Sequence, residues 1–333
     1  YMPSWELNKT VTQRAEQYGF DFVLSMIKYR GWGGTTEFWD HALESFTLMA
    51  GLAGVTERIR LHASVATLTV HPAIAARMAV TIDQISGGRF GLNIVSGWNK
   101  REYSQMGLWR GDAFYDERYD YSTEYVQILK ELWANGRSSY HGRFFTLEDC
   151  LCQPRPTHEI PIVCAGQSLR GMRFTAELGD HNFVVGEIAD LAAINGRVAE
   201  LGRGCGRRVG TYALFTVVAA SSDAEAQAIA ARYRAGGDVE ALRGFIGAAA
   251  DDPSDGMAAR LQEQAFMGIP VVIGSYASVA AYFDRVAVET GVDGVLLTFP
   301  DFVDGVTAFG EQVMPRLAAT SAAVSPVSIE GAA

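Results

Sequence analysis

The 333-residue chain lacks several features that would place it in a common functional class. No apolar run reaches the roughly 18 residues that a membrane-spanning helix needs. Basic residues are in the minority, with 28 Lys and Arg against 38 Asp and Glu, and the net charge of −10 is spread along the chain. A chain of this kind is not expected to bind nucleic acid or an anionic membrane surface.

Cysteine and histidine are also scarce. The four cysteines are Cys150, Cys152, Cys164 and Cys205, and the first two are too close for an easy disulfide and lack the second pair that zinc needs. The six histidines form no H-E-x-x-H pattern, so no metal site is expected. We interpret the cysteines as reduced thiols of a cytoplasmic protein, packed as small hydrophobic side chains.

Two motifs that identify common enzyme classes are missing as well. No G-x-G-x-x-G follows the first predicted strand, which argues against a doubly wound dinucleotide-binding sheet. Asp40 and His41 are adjacent, but no G-x-S-x-G nucleophile elbow accompanies them, which argues against a hydrolase. We interpret Asp40 as the cap of a helix that begins at Ala42, and His62 as a buried core histidine.

The chain does have a regular alternation of short apolar runs and amphipathic helical stretches. The runs are apolar on both faces, as buried parallel strands are, and the helices carry apolar residues at 3.6 spacing. Strands are predicted at residues 20–27, 59–67, 90–95, 160–165, 182–185, 212–218 and 294–299. Helices are predicted at residues 5–18, 42–52, 72–85, 119–133, 170–178, 189–201, 224–234, 279–289 and 302–317.

This alternation predicts an α/β protein with a TIM-type (β/α)8 barrel. A doubly wound sheet usually has about five or six strands, whereas the predicted strands fall one short of a barrel. The helix at residues 5–18 precedes the first predicted strand, where helix one of a barrel lies. We therefore expect the first barrel strand to be missing from this sequence and to lie before Tyr1.

Domain organisation is predicted to be simple. We expect one domain over residues 1–320, with insertions at about 96–159 and 235–293, and a frayed tail at 321–333. The Gly-, Ala- and Asp-rich piece at 247–256 is the expected mobile flap.

Polar and aromatic residues collect where the predicted strands end, which is where parallel α/β proteins bind ligands. After the strand at 90–95, small residues let a planar ligand approach the backbone, and Asn93, Trp98 and Glu102 stand around them. Lys28 follows the first predicted strand and is interpreted as a contact to an anion or an electron-rich ring.

A phosphate site is predicted beside this strand end. Ser168 offers a hydroxyl next to the free N–H groups of a helix start, and Arg118, followed by Tyr119, can grip the same phosphate. Strand alternation places Ser64 on the face of its strand that can line a site. Together these residues predict a pocket for a planar heterocycle with a phosphate tail.

In order and spacing, these motifs resemble the bacterial luciferase-like flavin-dependent monooxygenases over roughly residues 1–315. The resemblance is greatest to members that open the uracil ring in bacterial pyrimidine catabolism. It rests on Ser25-Met26-Ile27-Lys28, residues 86–90, residues 93–98, Glu102-Tyr103, Met106-Gly107, residues 118–121, residues 164–168 and Gly274-Ser275-Tyr276.

The resemblance implies a two-component monooxygenase that uses FMNH2 and O2, through a flavin peroxide, to open a cyclic amide such as uracil or thymine. The reduced flavin would come from a separate NADH-dependent flavin reductase, and a homo-oligomer is expected. The implied FMN contacts are Ile27, Lys28, Asn93, Glu102, Arg118, Tyr119 and Ser168. The implied catalytic oxygen pocket consists of Leu24, Met26, Ser64, Asn93 and Trp98, with Ser64 where family members carry threonine.

Two other functions share the implied barrel. A deazaflavin (F420)-dependent oxidoreductase moves a hydride, and its acidic cofactor tail would need more basic residues than Lys28, Arg118 and Arg30 supply. A non-catalytic flavin-binding barrel would keep FMN bound without turnover, and the presence of both Asn93 and Trp98 argues against it.

Overall fold

The computed structural model describes residues 2–251, 266 and 269–318, in which strands and helices alternate. The strands are β1 (Phe22–Leu24), β2 (Arg60–Ala66), β3 (Phe90–Val95), β4 (Arg137–Ser138), β5 (Cys150–Leu151), β6 (Ile162–Ala165), β7 (His181–Val184), β8 (Gly210–Ala220), β9 (Val271–Ser275) and β10 (Gly294–Thr298). The helices are α1 (Trp5–Tyr18), α2 (Ser45–Ala53), α3 (Pro72–Ser86), α4 (Lys100–Ser104), α5 (Phe114–Asn135), α6 (Leu169–Leu178), α7 (Ile188–Gly204), α8 (Asp223–Ala235), α9 (Val239–Ala250), α10 (Tyr276–Thr290) and α11 (Phe302–Ala308). The predicted tail at 321–333 and the predicted flap beyond residue 251 lie outside the described residues.

Parallel pairing joins eight strands into one sheet, in the order β1-β2-β3-β6-β7-β8-β10, with β9 paired to the carboxyl-terminal half of β8. The ring of Phe22 in β1 lies 5.1 Å from that of Tyr212 in β8, although four strands separate the two in the sheet. The sheet therefore curls around a central axis, as a TIM-type barrel does. Among the described residues no ladder joins β10 to β1.

The seven strands of the continuous order are those that the sequence predicts, but β1 is shorter than predicted and one further strand, β9, was not predicted. β1 ends at Leu24 rather than at residue 27, so the chain leaves the sheet at Ser25 while the neighbouring β2 continues to Ala66. β9 lies within the expected insertion at 235–293 and was missed, because it passes into α10 without an intervening loop.

The interpretation of Asp40 as a helix cap is wrong. The helix begins at Ser45, and the carboxylate of Glu44 accepts hydrogen bonds from the first backbone N–H groups of α2. Asp40 Oδ1 instead accepts from the backbone N–H of Gly31 at 3.1 Å. This bond closes a hairpin over residues 31–40 that follows Lys28.

Aromatic rings fill the amino-terminal end of the barrel. The ring of Phe22 lies 4.9 Å from that of His62, and His181 stacks on Tyr212 at 4.2 Å. His62 is 3% exposed, which confirms that it lies in the core, but its Nδ1 has no hydrogen-bond partner among the described residues. A Cβ at Gly91 would lie 2.6 Å from the His62 ring, so only glycine fits beneath it.

The lumen is less filled towards the carboxyl ends of the strands. Leu214 and Phe183 share the inner face with Tyr212 and are only half-buried, whereas their helix-facing neighbours Phe215 and Val184 are fully buried. Side chains that face the lumen thus retain accessible surface at the end where (β/α)8 barrels bind ligands.

All four cysteines are unpaired. Cys152 and Cys164 are buried as small hydrophobic side chains, as predicted, whereas Cys205 is exposed, and for it the packing prediction is wrong. Within the described ranges, no helix has the length and apolar character that crossing a bilayer requires.

Candidate active site

Several of the residues predicted to form the site lie in or just after four strands that are neighbours in the sheet. Lys28 follows β1, Ser64 lies in β2, Asn93 and Trp98 lie in and after β3, and Ser168 follows β6. Because these strands are parallel, their carboxyl ends meet at one edge, and the predicted residues share that end of the barrel.

A buried ion pair joins the segment after β1 to α4. Lys28 Nζ donates to Glu102 Oε2 at 2.9 Å, and the two side chains are 5% and 7% exposed. Glu102 Oε1 accepts from the backbone N–H of Tyr29 at 2.6 Å. Burial lowers the pKa of Lys28, and the attraction of Glu102 opposes that shift. The ammonium also lies 4.4 Å from the ring of Trp32 and 5.4 Å from that of Trp98.

Four aromatic residues, which we call the aromatic cover, pack over this ion pair. Trp32 lies 5.8 Å from Trp98 and 5.1 Å from Phe245, and Trp39 lies 6.3 Å from Phe245, measured between ring centroids. Phe245 belongs to α9, a helix that the sequence analysis missed. The signal was the sequence Gly-Gly-Asp before the apolar run that begins at Val239, which is typical of a capped helix start.

One carboxylate ties α9 to the hairpin that bears Trp32. Asp238 Oδ1 accepts from the backbone N–H of Ala241 at 3.0 Å and caps α9. Its Oδ2 accepts from both the backbone N–H and the hydroxyl of Thr36 at 2.8 Å. The hydrogen bonds from Ala241 and Thr36 lower the pKa of Asp238 to about 2, so the link is ionised at neutral pH.

Asn93 and Ser64 lie side by side on the inner face. Asn93 Nδ2 donates to Ser64 Oγ at 2.8 Å, and Ser64 Oγ donates to the backbone carbonyl of Ser25 at 2.6 Å. In the described part of the chain, Asn93 Oδ1, Ser96 Oγ and Asn99 Oδ1 are buried without a hydrogen-bond partner. Such atoms at the end of β3 indicate a place where a polar ligand binds.

The predicted phosphate-binding residues come from α5 and the start of α6. Ser168 Oγ accepts from the backbone N–H of Gly171 at 3.2 Å and caps α6. The hydroxyl of Tyr119 would lie 2.7 Å from a Cβ at Gly171, so it packs directly on this turn. Arg118 is 3% exposed and lies in the second turn of α5, which begins at Phe114 rather than at the predicted position.

The remaining predicted residues follow β1. Leu24 and Ile27 are half-buried, whereas Met26 is 40% exposed. Over the described ranges, no three His, Cys, Asp or Glu side chains come together in a way that would hold a metal ion. The arrangement of buried cations, an amide, indoles and small residues suits a planar organic ligand.

Comparison with known proteins identifies the family of the chain. The model of the luciferase-like monooxygenase family matches residues 2–294. The chain is 52% identical to pyrimidine monooxygenase RutA of Acinetobacter baylyi, over 95% of this chain and 89% of the relative. It is 50% identical to pyrimidine monooxygenase RutA of Klebsiella pneumoniae, over 95% and 90%.

Solved structures resemble the chain at lower identity. The riboflavin lyase RcaE, solved with modified FMN and riboflavin, has a TM-score of 0.82 at 20% identity, over 98% of this chain and 87% of that one. The F420-dependent tetrahydromethanopterin reductase of Methanopyrus kandleri has a TM-score of 0.70 at 18% identity, over 95% and 96%. At these identities they show the fold alone. The predicted barrel and the resemblance are confirmed, and the chain belongs to the luciferase-like monooxygenase family.

Proposed function

We propose that this protein is a two-component, FMN-dependent monooxygenase that opens the ring of a pyrimidine such as uracil or thymine. The observation that carries the proposal is the 52% identity with pyrimidine monooxygenase RutA over 95% of the chain. The barrel mouth supports it, because Asn93, Lys28 and Trp98 supply the amide, the buried cation and the flat apolar wall that a flavin and a small heterocycle need.

The residues at the mouth fit FMN. Buried acceptors without a partner in the described residues surround the end of β3, and Tyr119 packs against the α6 turn, where backbone N–H groups favour a phosphate. Bound reduced FMN, delivered by a separate NADH-dependent reductase, would supply the electrons that activate dioxygen. The residues proposed to hold it are Ile27, Lys28, Asn93, Glu102, Arg118, Tyr119 and Ser168.

The protein's own contribution is to orient the reactants and to exclude water. The aromatic cover lies over Lys28 and keeps solvent from this side of the mouth. The Lys28 ammonium, held by Glu102, offers a buried hydrogen-bond donor at the mouth, and the amide of Asn93 offers a hydrogen bond that orients a bound ligand. The residues proposed to line the oxygen pocket are Leu24, Met26, Ser64, Asn93 and Trp98.

An oxygen-uptake assay with a generic flavin reductase, NADH, FMN and a panel of heterocycles tests the proposal. With uracil or thymine we expect a ring-opened product that carries one oxygen atom from ¹⁸O₂. Reductase without this protein is the control, because free reduced flavin also consumes oxygen. Failure to convert any pyrimidine would contradict the proposal. Oxygen-independent turnover with reduced F420 would favour the deazaflavin reading, and tight FMN without turnover would favour a non-catalytic barrel.

A further inference from the structure

Next to Asn93, three serines form a cluster through hydrogen bonds of their side chains and backbone. Ser45 is the first residue of α2 and is fully buried, at 0% exposure. Its Oγ accepts from the backbone N–H of Ser64 at 2.7 Å and is hydrogen-bonded to Ser25 Oγ. The cluster thus connects α2, the segment after β1, and β2 immediately beside Asn93.

Ser45 takes the place of a strand partner. β1 ends at Leu24, whereas β2 runs on to Ala66, so β1 does not meet the backbone N–H of Ser64. A buried N–H without a partner is costly, and Ser45 Oγ satisfies this one. The Ser45 hydroxyl therefore fixes the position of Ser64.

The hydrogens of this cluster determine which way the Asn93 amide faces. The hydroxyl hydrogen of Ser64 is engaged by the carbonyl of Ser25, which can only accept. Ser64 Oγ can then only accept from Asn93, so the atom 2.8 Å away is the amide nitrogen. The carbonyl oxygen Oδ1 of Asn93 is therefore buried and has no hydrogen-bond partner among the described residues.

That oxygen belongs to the inner face of the barrel. Strand register pairs Asn93 with Ser64 and Gly91 with His62, and His62 contacts Phe22 inside the barrel. Alternation along β3 places Asn93 on the same side as Gly91, and Asn93 is 6% exposed. A buried acceptor at this depth selects a hydrogen-bond donor, and on the edge of a planar heterocycle that donor is a ring N–H.

We propose that Ser45 is a positioning residue: acting through Ser64, it fixes the Asn93 amide so that Oδ1 accepts a hydrogen bond from a ring N–H of the bound heterocycle. The inference rests on the proposed function for the identity of the heterocycle, since both FMN and a pyrimidine carry such a group. In wild-type protein, this bond favours a ligand with N–H over the same ligand methylated at that nitrogen.

Two ligand pairs and three variants test the proposal. The pairs are FMN against N3-methyl FMN, measured as binding by flavin fluorescence, and uracil against 3-methyluracil, measured as kcat/KM. The variants are Ser45→Ala, Ser45→Thr, which keeps the hydroxyl, and Ser122→Ala. Ser122 is the matched control, because it is also 0% exposed and its hydroxyl has no partner within the described residues.

We expect wild type to prefer the N–H member of at least one pair by about tenfold, as one hydrogen bond allows. Ser45→Ala should reduce that preference to about twofold or less, while Ser45→Thr and Ser122→Ala retain it. The pair that responds identifies the donor as cofactor or substrate. If Ser45→Ala fails to fold, Ser64→Ala tests the same preference.

The proposal is overturned if wild type shows no preference in either pair. It is also overturned if Ser45→Ala lowers the melting temperature but leaves the preference intact, since Ser45 would then be structural only. Failure of the proposed function is a separate result: no pyrimidine would be converted, while the FMN pair would still report on Ser45.

Discussion

Lys28 Nζ lies 2.9 Å from Glu102 Oε2, and this buried pair links the end of β1 to α4 at the mouth of the barrel. Replacing one partner leaves the other charge buried without a partner, which costs about 3 kcal/mol or more. We therefore expect Glu102→Gln and Lys28→Met each to lower the free energy of urea unfolding by about 3 kcal/mol, and the double variant to lose less than their sum.

The exposed pair of Lys100 and Asp112 provides the matched control. Its side chains are 43% and 70% exposed at a distance of 2.7 Å, so water screens the interaction. Asp112→Asn should leave the free energy of unfolding close to that of wild type. Additive losses for the Lys28 and Glu102 variants would show that the two side chains are not coupled.

Asn93→Ala tests the amide at the end of β3. We expect weakened but measurable FMN binding and a fall in product formation on the order of 100-fold, as when one preorganised hydrogen-bonding group of an active site is lost. Turnover is measured with FMNH2 added directly and with an assay of the product, so that the rate does not depend on a flavin reductase. Turnover within about twofold of wild type would rule out the assigned role of Asn93.

Asp238→Ala should loosen α9 from the hairpin that bears Trp32, because it removes the carboxylate that is hydrogen-bonded to both and leaves the ring contacts of Phe245. Water would then reach the mouth, and we expect more oxygen to be consumed as hydrogen peroxide for each product molecule formed. The measurement is the ratio of peroxide to product at saturating substrate.

Ser222→Ala is the control for this experiment. Ser222 Oγ caps α8 by accepting from the backbone N–H of Glu225 at 3.2 Å, which is the kind of bond that Asp238 makes to α9. It should lower helix stability without changing the peroxide ratio. An unchanged ratio in Asp238→Ala would show that α9 does not shield the site.

Local sequence signals predicted most of the fold. Pro72 is at the first position of α3 after His71, and Ser222 and Ser168 cap α8 and α6, which are the places that proline and serine favour at a helix start. These features depend on neighbours within one turn, which the sequence displays directly. Strands buried on both faces are likewise visible as continuous apolar runs.

The site could be predicted only in part, because its contacts connect distant parts of the chain. Lys28 and Glu102 are 74 residues apart, and their pairing depends on the placement of β1 and β3 on either side of β2 in the sheet. Ser45 resembles an ordinary helix start, and only the early end of β1 gives its hydroxyl another partner. The roles of the site residues stay predictions, for which the described contacts give positions and distances. The homo-oligomer also stays a prediction.

His62 gives a prediction for the dependence of stability on pH. Its pKa is lowered from 6.5 to about 3, chiefly by burial and further by the charge of Arg60. Below pH 6.5, His62 binds a proton in the unfolded chain but not in the folded protein. The free energy of unfolding therefore falls as the pH drops from 6.5 towards 3. One such proton contributes a slope of about 1.4 kcal/mol per pH unit.

His62→Gln should remove this part of the slope, because glutamine does not titrate. It should also destabilise the protein by disturbing the contact with Phe22. This loss is the same at every pH, so it lowers the free energy of unfolding without changing its slope against pH. Urea unfolding of wild type and variant at several pH values between 4 and 6 measures the difference. His41→Gln, at an exposed histidine, shows whether the effect requires burial. Parallel curves for wild type and His62→Gln would mean that the folded protein takes up a proton at His62 after all.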